Sequence, residues 1–386
     1  MYARDLSLPD RSFFLFGPRG TGKTTWLHSV LPIAHRVDLL RDRELVRLLR
    51  DPGLFTREVE ALRAGSWVVV DEVQKLPALL DEVQDLLVRR RADYRFALTG
   101  SSARKLRRSG VNLLAGRAVN RRFHPLTAGE LGADFDLERI LRFGGLPAVW
   151  ADAPSDAARI DFLEAYAENY LTQEIRQEGL VKNLDSFSRF LEIASLVNAQ
   201  VVNVAGVARD AGVARPTVQG FFEILVDTLV GVWLPAWRPR AKVKELAHPK
   251  FYFFDTGAVR ALARRLREPI ASDERGSLFE TWVLHELRAH QNRASTGGEL
   301  CYWRTPSGSE VDFIWTRASQ SVGIEVKASE RWRREDGAAL RELMATRKLK
   351  RAFGVYRGST SLRDGEIEVL PAAVFAQRLR AGEVIG

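Results

Sequence analysis

Ser12-Phe13-Phe14-Leu15-Phe16 runs directly into Gly17-Pro18-Arg19-Gly20-Thr21-Gly22-Lys23-Thr24. The apolar run reads as a buried strand. The eight residues after it fit G-x-x-x-x-G-K-[ST] at every fixed position, in the strand-to-helix context that pattern requires. Glycines let backbone amides curl round a phosphate with no Cβ in the way. The helix that follows adds positive potential at its N-terminus. Gly17, Pro18, Arg19, Gly20, Thr21, Gly22, Lys23, Thr24 and Thr25 are therefore the candidate ATP-binding residues. Lys23 is expected to reach the β and γ phosphates and Thr24 to ligate Mg²⁺.

Such a loop needs acids on a neighbouring strand, and Trp67-Val68-Val69-Val70-Asp71-Glu72 supplies them. Asp71 is expected to hold Mg²⁺ through water, and Glu72 to polarise the attacking water as general base. A further apolar strand ends in Thr99-Gly100-Ser101-Ser102. Thr99 or Ser101 is either a sensor of the γ-phosphate or part of a turn capping the next helix. Strands at 12–16, 36–40, 67–70 and 94–98 alternate with helical patterns after Lys23, Asp42, Thr56 and Leu79. This is the signature of a parallel sheet with crossover helices, an α/β fold.

Residues 103–122 carry Arg104, Lys105, Arg107, Arg108, Arg117, Arg121 and Arg122 with no acid, a run suited to phosphates. Arg117 reads either as an arginine finger acting across a subunit interface or as a surface arginine.

The composition narrows the rest. Lys and Arg total 58 against 49 Asp and Glu, a net +9 that suits an anionic partner. The single Cys301 makes no internal disulfide, and the six histidines show no zinc spacing, so a reducing cytoplasm is expected. No stretch approaches the roughly 18 apolar residues of a membrane helix. Residues 1–12 hold Arg4, Asp5, Asp10 and Arg11 and do not read as a signal peptide. Three domains are expected, at 1–150, 157–245 and 250–386, with 151–156 as a linker.

The middle region reads as helix–turn–helix: 204–211, a turn at Gly212, then a helix opening at Arg215-Pro216. A wing strand is expected at 229–237, followed by Arg238, Arg240, Lys242, Lys244 and Lys250 against only Glu245. This is either a winged-helix DNA binder, reading with Arg215, Thr217 and Gln219, or a helical lid. Farther on, Glu310-Val311-Asp312 precedes Gly323-Ile324-Glu325-Val326-Lys327, the D–ExK nuclease pattern. Residues i and i+2 share a strand face, which joins Glu325 to Lys327, with Asp312 on the neighbouring strand. Asp312 and Glu325 are candidate Mg²⁺ ligands, Lys327 orients water, and Glu280 is the expected first acid of the set. Arg304 and the basic residues from Arg331 to Arg351 suit a phosphate backbone. The alternative is a cross-strand ion pair on a non-cutting scaffold. His285 and His290 are five apart, the wrong interval for a shared metal on one helix face.

The stretches VVVDEVQKLP, LTGSSARKL, LAGRAV, HPLTAGEL, FGGLPAVW, FYFFDTGAVRAL, GSLFETWVLHEL, GSEVDFIW and GIEVKAS lie between about Arg11 and Tyr356. Together they resemble a family of bacterial and archaeal ATP-binding proteins that join an AAA-type ATPase domain to a C-terminal domain of unknown function. The resemblance implies an AAA+ core, a helical middle and a nuclease-like end. The expected activity is ATP hydrolysis with Mg²⁺ on duplex or branched DNA, in a homo-oligomeric ring, with a Mg²⁺-dependent endonuclease at the C-terminus. One alternative is a nucleotide-controlled switch or DNA-binding regulator that cuts nothing. Another is a defence nuclease gated by ATP.

Overall fold

The computed structural model describes residues 2–51, 53–90, 93–101, 114, 116–171, 183–238 and 248–386. Arg104, Lys105, Arg107, Arg108 and the wing residues Arg240, Lys242, Lys244 and Glu245 lie outside them. The chain forms two compact units: Leu6–His124 with Asp227–Leu229, and Met1–Asp5 with Pro125–Val226 and Val230–Gly386.

The first unit is built on β1 (Phe13–Phe16), β2 (His35–Asp38), β3 (Ser66–Asp71), β4 (Tyr94–Gly100) and β5 (Val119–Arg122). All pair in parallel, in the order β2-β3-β4-β1-β5. Strand periodicity divides β1 between two cores. Phe14 and Phe16 pack with Val68, Val70, Phe96 and Leu98 on one face. Phe13 and Leu15 pack with Trp26, Leu27, Val69 and Ala97 on the other. Helices Lys23–Val30, Asp42–Arg50, Gly53–Glu60 and Leu79–Arg89 supply the crossovers. The sequence pattern did not mark β5, because Val119-Asn120-Arg121-Arg122 lies half exposed beside β1 and lacks an apolar run. The phosphate-binding loop of residues 17–24, the P-loop, leaves the end of β1, beside the ends of β4 and β3, where open α/β sheets bind ligands.

The second unit departs from the expected boundaries. Leu126, Phe222, Phe251, Phe279, Phe313 and Ile385 belong to one core, so 125–150 and the segments expected as separate domains fold together. The expected linker is a turn inside this unit: one helix ends at Ala151, and Ser155 caps the next, accepting from the Ala158 N–H at 3.2 Å.

Its middle part runs through helix Leu184–Leu196, β6 (Gln200–Val201), helix Val204–Ala211, Gly212 at φ 66°, helix Arg215–Asp227, β7 (Gly231–Leu234) and β8 (Lys250–Phe253). The three strands are antiparallel in the order β6-β8-β7. After helix Ser272–Ala294 come β9 (Glu299–Arg304), β10 (Glu310–Arg317), β11 (Gln320–Lys327), β12 (Arg351–Tyr356), β13 (Leu362–Asp364) and β14 (Ile367–Pro371). They make a mixed sheet in the order β13-β14-β12-β11-β10-β9.

Candidate functional site

In the P-loop, Gly22 stands at φ 91° as the cap of helix Lys23–Val30, a backbone conformation that costs glycine nothing. A Cβ on Gly17 would lie 2.4 Å from the Phe123 carbonyl oxygen, so the loop can approach β5 only without a side chain. Lys23 is buried and folds back over the loop, donating to the carbonyls of Gly17 at 2.7 Å and Pro18 at 3.1 Å. The Thr21 hydroxyl donates to the Pro18 carbonyl at 2.8 Å. Thr24 and Thr25 are exposed in the first helical turn.

The strand ends then converge. The Thr24 hydroxyl donates to Asp71 Oδ2 at 2.6 Å. The Thr99 hydroxyl donates to Asp71 Oδ1 and accepts from the Glu72 N–H at 3.1 Å, so one side chain ties both acids to β4. Glu72 is buried and stands at φ 57°, ψ 48°, a left-handed conformation that a non-glycine residue keeps only when its surroundings hold it. The Gln74 amide does so, donating to the Glu72 carboxylate and, at 3.0 Å, to Ser101 Oγ. The Ser101 hydroxyl also lies 3.4 Å from Glu72. Thr99 and Ser101 are thus both in the network, Thr99 on the Asp71 carboxylate and the Glu72 N–H, Ser101 on the Glu72 carboxylate. Gln74 was missed: it lies within the quoted VVVDEVQKLP, but no spacing rule marks it. Arg117 is exposed on the described surface. The hydroxyl of Thr24 and the carboxylate of Asp71 form a pair of hard oxygen donors that fits Mg²⁺.

In the second unit, pairing of Phe313 with Ile324 sets Asp312 beside Glu325. Asp312 Oδ2 accepts from the Val326 N–H at 2.8 Å. Between Val311 and Ile314 the β10–β9 register slips by one residue, a bulge of the kind that re-aims a side chain. Lys327 Nζ lies 2.5 Å from Glu325 Oε1, and Glu325 Oε2 is buried with no hydrogen-bond partner among the described residues.

Lys250 changes the reading of this site. It was expected in the basic wing, yet it is 4% exposed at the start of β8. Its ammonium lies 2.5 Å from Glu310 Oε1, 3.2 Å from Glu280 Oε2 and 3.7 Å from Asp312 Oδ1. The Tyr252 hydroxyl donates to the same Glu280 oxygen at 2.9 Å. Spacing on β10 and β11 could not reveal this lysine, because it arrives from another sheet. Burial works against the charge on Lys250, but Glu280, Asp312 and Glu310 outweigh it and hold its pKa above the ordinary value. Burial pushes Glu280 up to about 8, with Asp312 adding to the shift and Lys250 opposing it. Burial also raises Asp312 and Glu325.

The Arg304 guanidinium, expected on a phosphate, pairs with Glu310 at 3.5 Å. Arg341, from the downstream basic set, pairs with Asp364 at 2.6 Å. His285 and His290 go to separate backbone carbonyls, of Leu126 and Ile385. Among the described residues no group of three or more histidine, cysteine or carboxylate side chains is arranged to hold a metal. As arranged, the C-terminal carboxylates do not fit a divalent ion, because an ammonium sits among them.

Comparison with known proteins divides the chain in three. Residues 9–132 match an AAA domain, 134–268 the domain of unknown function DUF8612, and 275–375 the domain of unknown function DUF4143. Uncharacterized proteins of Mycobacterium tuberculosis and Mycobacterium bovis are each 26% identical over 317 residues, 81% of this chain and 69% of theirs. Among solved structures, RuvB of Thermotoga maritima is 16% identical, with a TM-score of 0.29 over 58% of this chain and 82% of that one. The replication initiator DnaA bound to AMPPCP and single-stranded DNA is 14% identical, with a TM-score of 0.29 over 56% and 82%. Likeness that faint carries no argument about activity. No helix among the described residues is long and apolar enough to cross a membrane. The chain joins an N-terminal AAA domain to two domains of unknown function.

Proposed function

We propose that the chain binds ATP with Mg²⁺ in the P-loop, hydrolyses it, and does so on DNA as a cytoplasmic homo-oligomer. One observation carries the ATPase reading: behind a complete P-loop, Thr24, Asp71, Thr99 and Glu72 form a single hydrogen-bonded chain. Mg²⁺, when bound, supplies the charge that offsets the phosphates. Asp71 and Thr24 would hold it. Lys23 exchanges the carbonyls of Gly17 and Pro18 for phosphate oxygens. Glu72 accepts the proton of the attacking water, and Gln74 with Ser101 keeps that carboxylate withdrawn until nucleotide binds. Arg117 is assigned to the site of a neighbouring copy.

The order helix, strand, helix–turn–helix, strand, strand is that of a winged helix, and it supports DNA as the partner. Arg215, Thr217 and Gln219 are exposed at the start of its second helix, while Val218, Phe222 and Leu225 are buried. The ammonium among the C-terminal carboxylates favours a scaffold that does not cut. Cleavage is the second reading, supported by Asp312, Glu325 and Lys327 lying on adjacent strands.

ATP turnover with Mg²⁺, measured with no DNA and with duplex, single-stranded and branched DNA, tests both. DNA is expected to raise turnover, Lys23→Ala to abolish it, and the DNA to stay intact on a gel. Turnover indifferent to every DNA form removes DNA as the partner. Products that vanish in Lys327→Ala restore the nuclease.

A further inference from the structure

We propose that Lys250 is the resident cation of the C-terminal carboxylate cluster and takes the place there that a divalent ion would otherwise fill. The proposal rests on reading Glu280, Asp312, Glu325 and Lys327 as a D–ExK set.

Its ammonium is within 4 Å of three carboxylates. The Tyr302 ring lies 5.6 Å from the ammonium and adds its π face to the cage. With Lys250 and Lys327 as counter-ions, Glu280, Glu310, Asp312 and Glu325 can coexist in a site whose innermost members, Lys250, Asp312 and Glu325, are buried. Removing a cation from such a cluster leaves charge uncompensated, and a small hard cation is the natural replacement. The buried, unpartnered Glu325 Oε2 is an oxygen already free to take one. Lys250 opens β8, the fully buried strand that β6 and β7 flank, so the core holds the lysine among the carboxylates.

The test is Mn²⁺ binding to the full chain without nucleotide, followed by the electron paramagnetic resonance of free Mn²⁺. Thr24→Ala is present throughout to silence the P-loop. Chain with Lys250 intact, and the charge-preserving Lys250→Arg, are expected to bind no Mn²⁺ that depends on Asp312. Lys250→Gln is expected to gain one site at least about tenfold tighter, lost again on adding Asp312→Asn. Equal affinity with and without Lys250 overturns the proposal. So does tight, Asp312-dependent binding to the chain that retains Lys250, a result that stands even if Lys250→Gln fails to fold. Ion binding is read without any cut strand, so failure here is distinct from failure of the nuclease reading.

Discussion

Glu72, the proposed general base, stands in a conformation that must be held. Its left-handed backbone and the Gln74 and Ser101 contacts keep the carboxylate away from solvent. Glu72→Gln keeps the side chain's shape and removes the proposed base. Turnover is expected to fall by about 10² or more with nucleotide binding retained, as read by rapid-quench kinetics and nucleotide titration. Two adjacent residues away from this site set opposite pH dependences. Burial lowers His285 to about 4, although its bond to Leu126 opposes the shift. Between pH 6.5 and 4 the unfolded chain binds the proton and the folded chain does not, so His285 costs stability as pH falls through that window. Burial raises Glu286 to about 8 against the Ala128 N–H that it accepts at 2.7 Å. Here the folded state holds the proton, and stability is lost as pH rises from about 4.5 to 8. Glu286→Gln is expected to flatten the alkaline side of a melting-midpoint-against-pH curve and leave the acid side unchanged.

At the scale of elements, close approach and exposed faces decide the outcomes. β1 and β5 are joined by the Phe123 N–H to the Phe16 carbonyl at 2.7 Å, just where Gly17 leaves no room. Gly17→Ala is expected to lower the melting midpoint of the first unit and abolish nucleotide binding together, read by calorimetry and titration. The helix Arg215–Asp227 is the contrasting case, because Arg215, Thr217 and Gln219 are exposed. Changing Arg215, Thr217 and Gln219 to Ala is expected to leave the melting midpoint within a degree or two. If that face meets DNA, binding falls and its salt dependence becomes shallower, as a fluorescence titration at several salt concentrations would report.

Over the whole molecule, two units with separate cores predict two calorimetric transitions. ATP with Mg²⁺ at a hundred times its Kd adds about 2.7 kcal/mol to the unit that binds it, enough to raise that midpoint by several degrees. Only one transition is expected to move, and Lys23→Ala should hold it still. A single transition that shifts as a whole would mean that the units unfold together.

What the sequence by itself determined is local. The P-loop, the paired acids after β3 and the helix–turn–helix are legible because each is written in neighbouring residues whose backbone conformation follows from their own side chains. Even the opposition of Asp312 and Glu325 follows from strand alternation and a short hairpin. The tertiary structure alone decided the rest. It placed Thr99 on Asp71 and Gln74 on Ser101, partners 28 and 27 residues apart in sequence. It merged the middle and C-terminal segments into one core, which no linker composition could foretell. It also carried Lys250 out of a basic stretch and into an acidic cluster 30 to 62 residues downstream. Charge along a chain says which residues are basic; only packing says which carboxylates they meet.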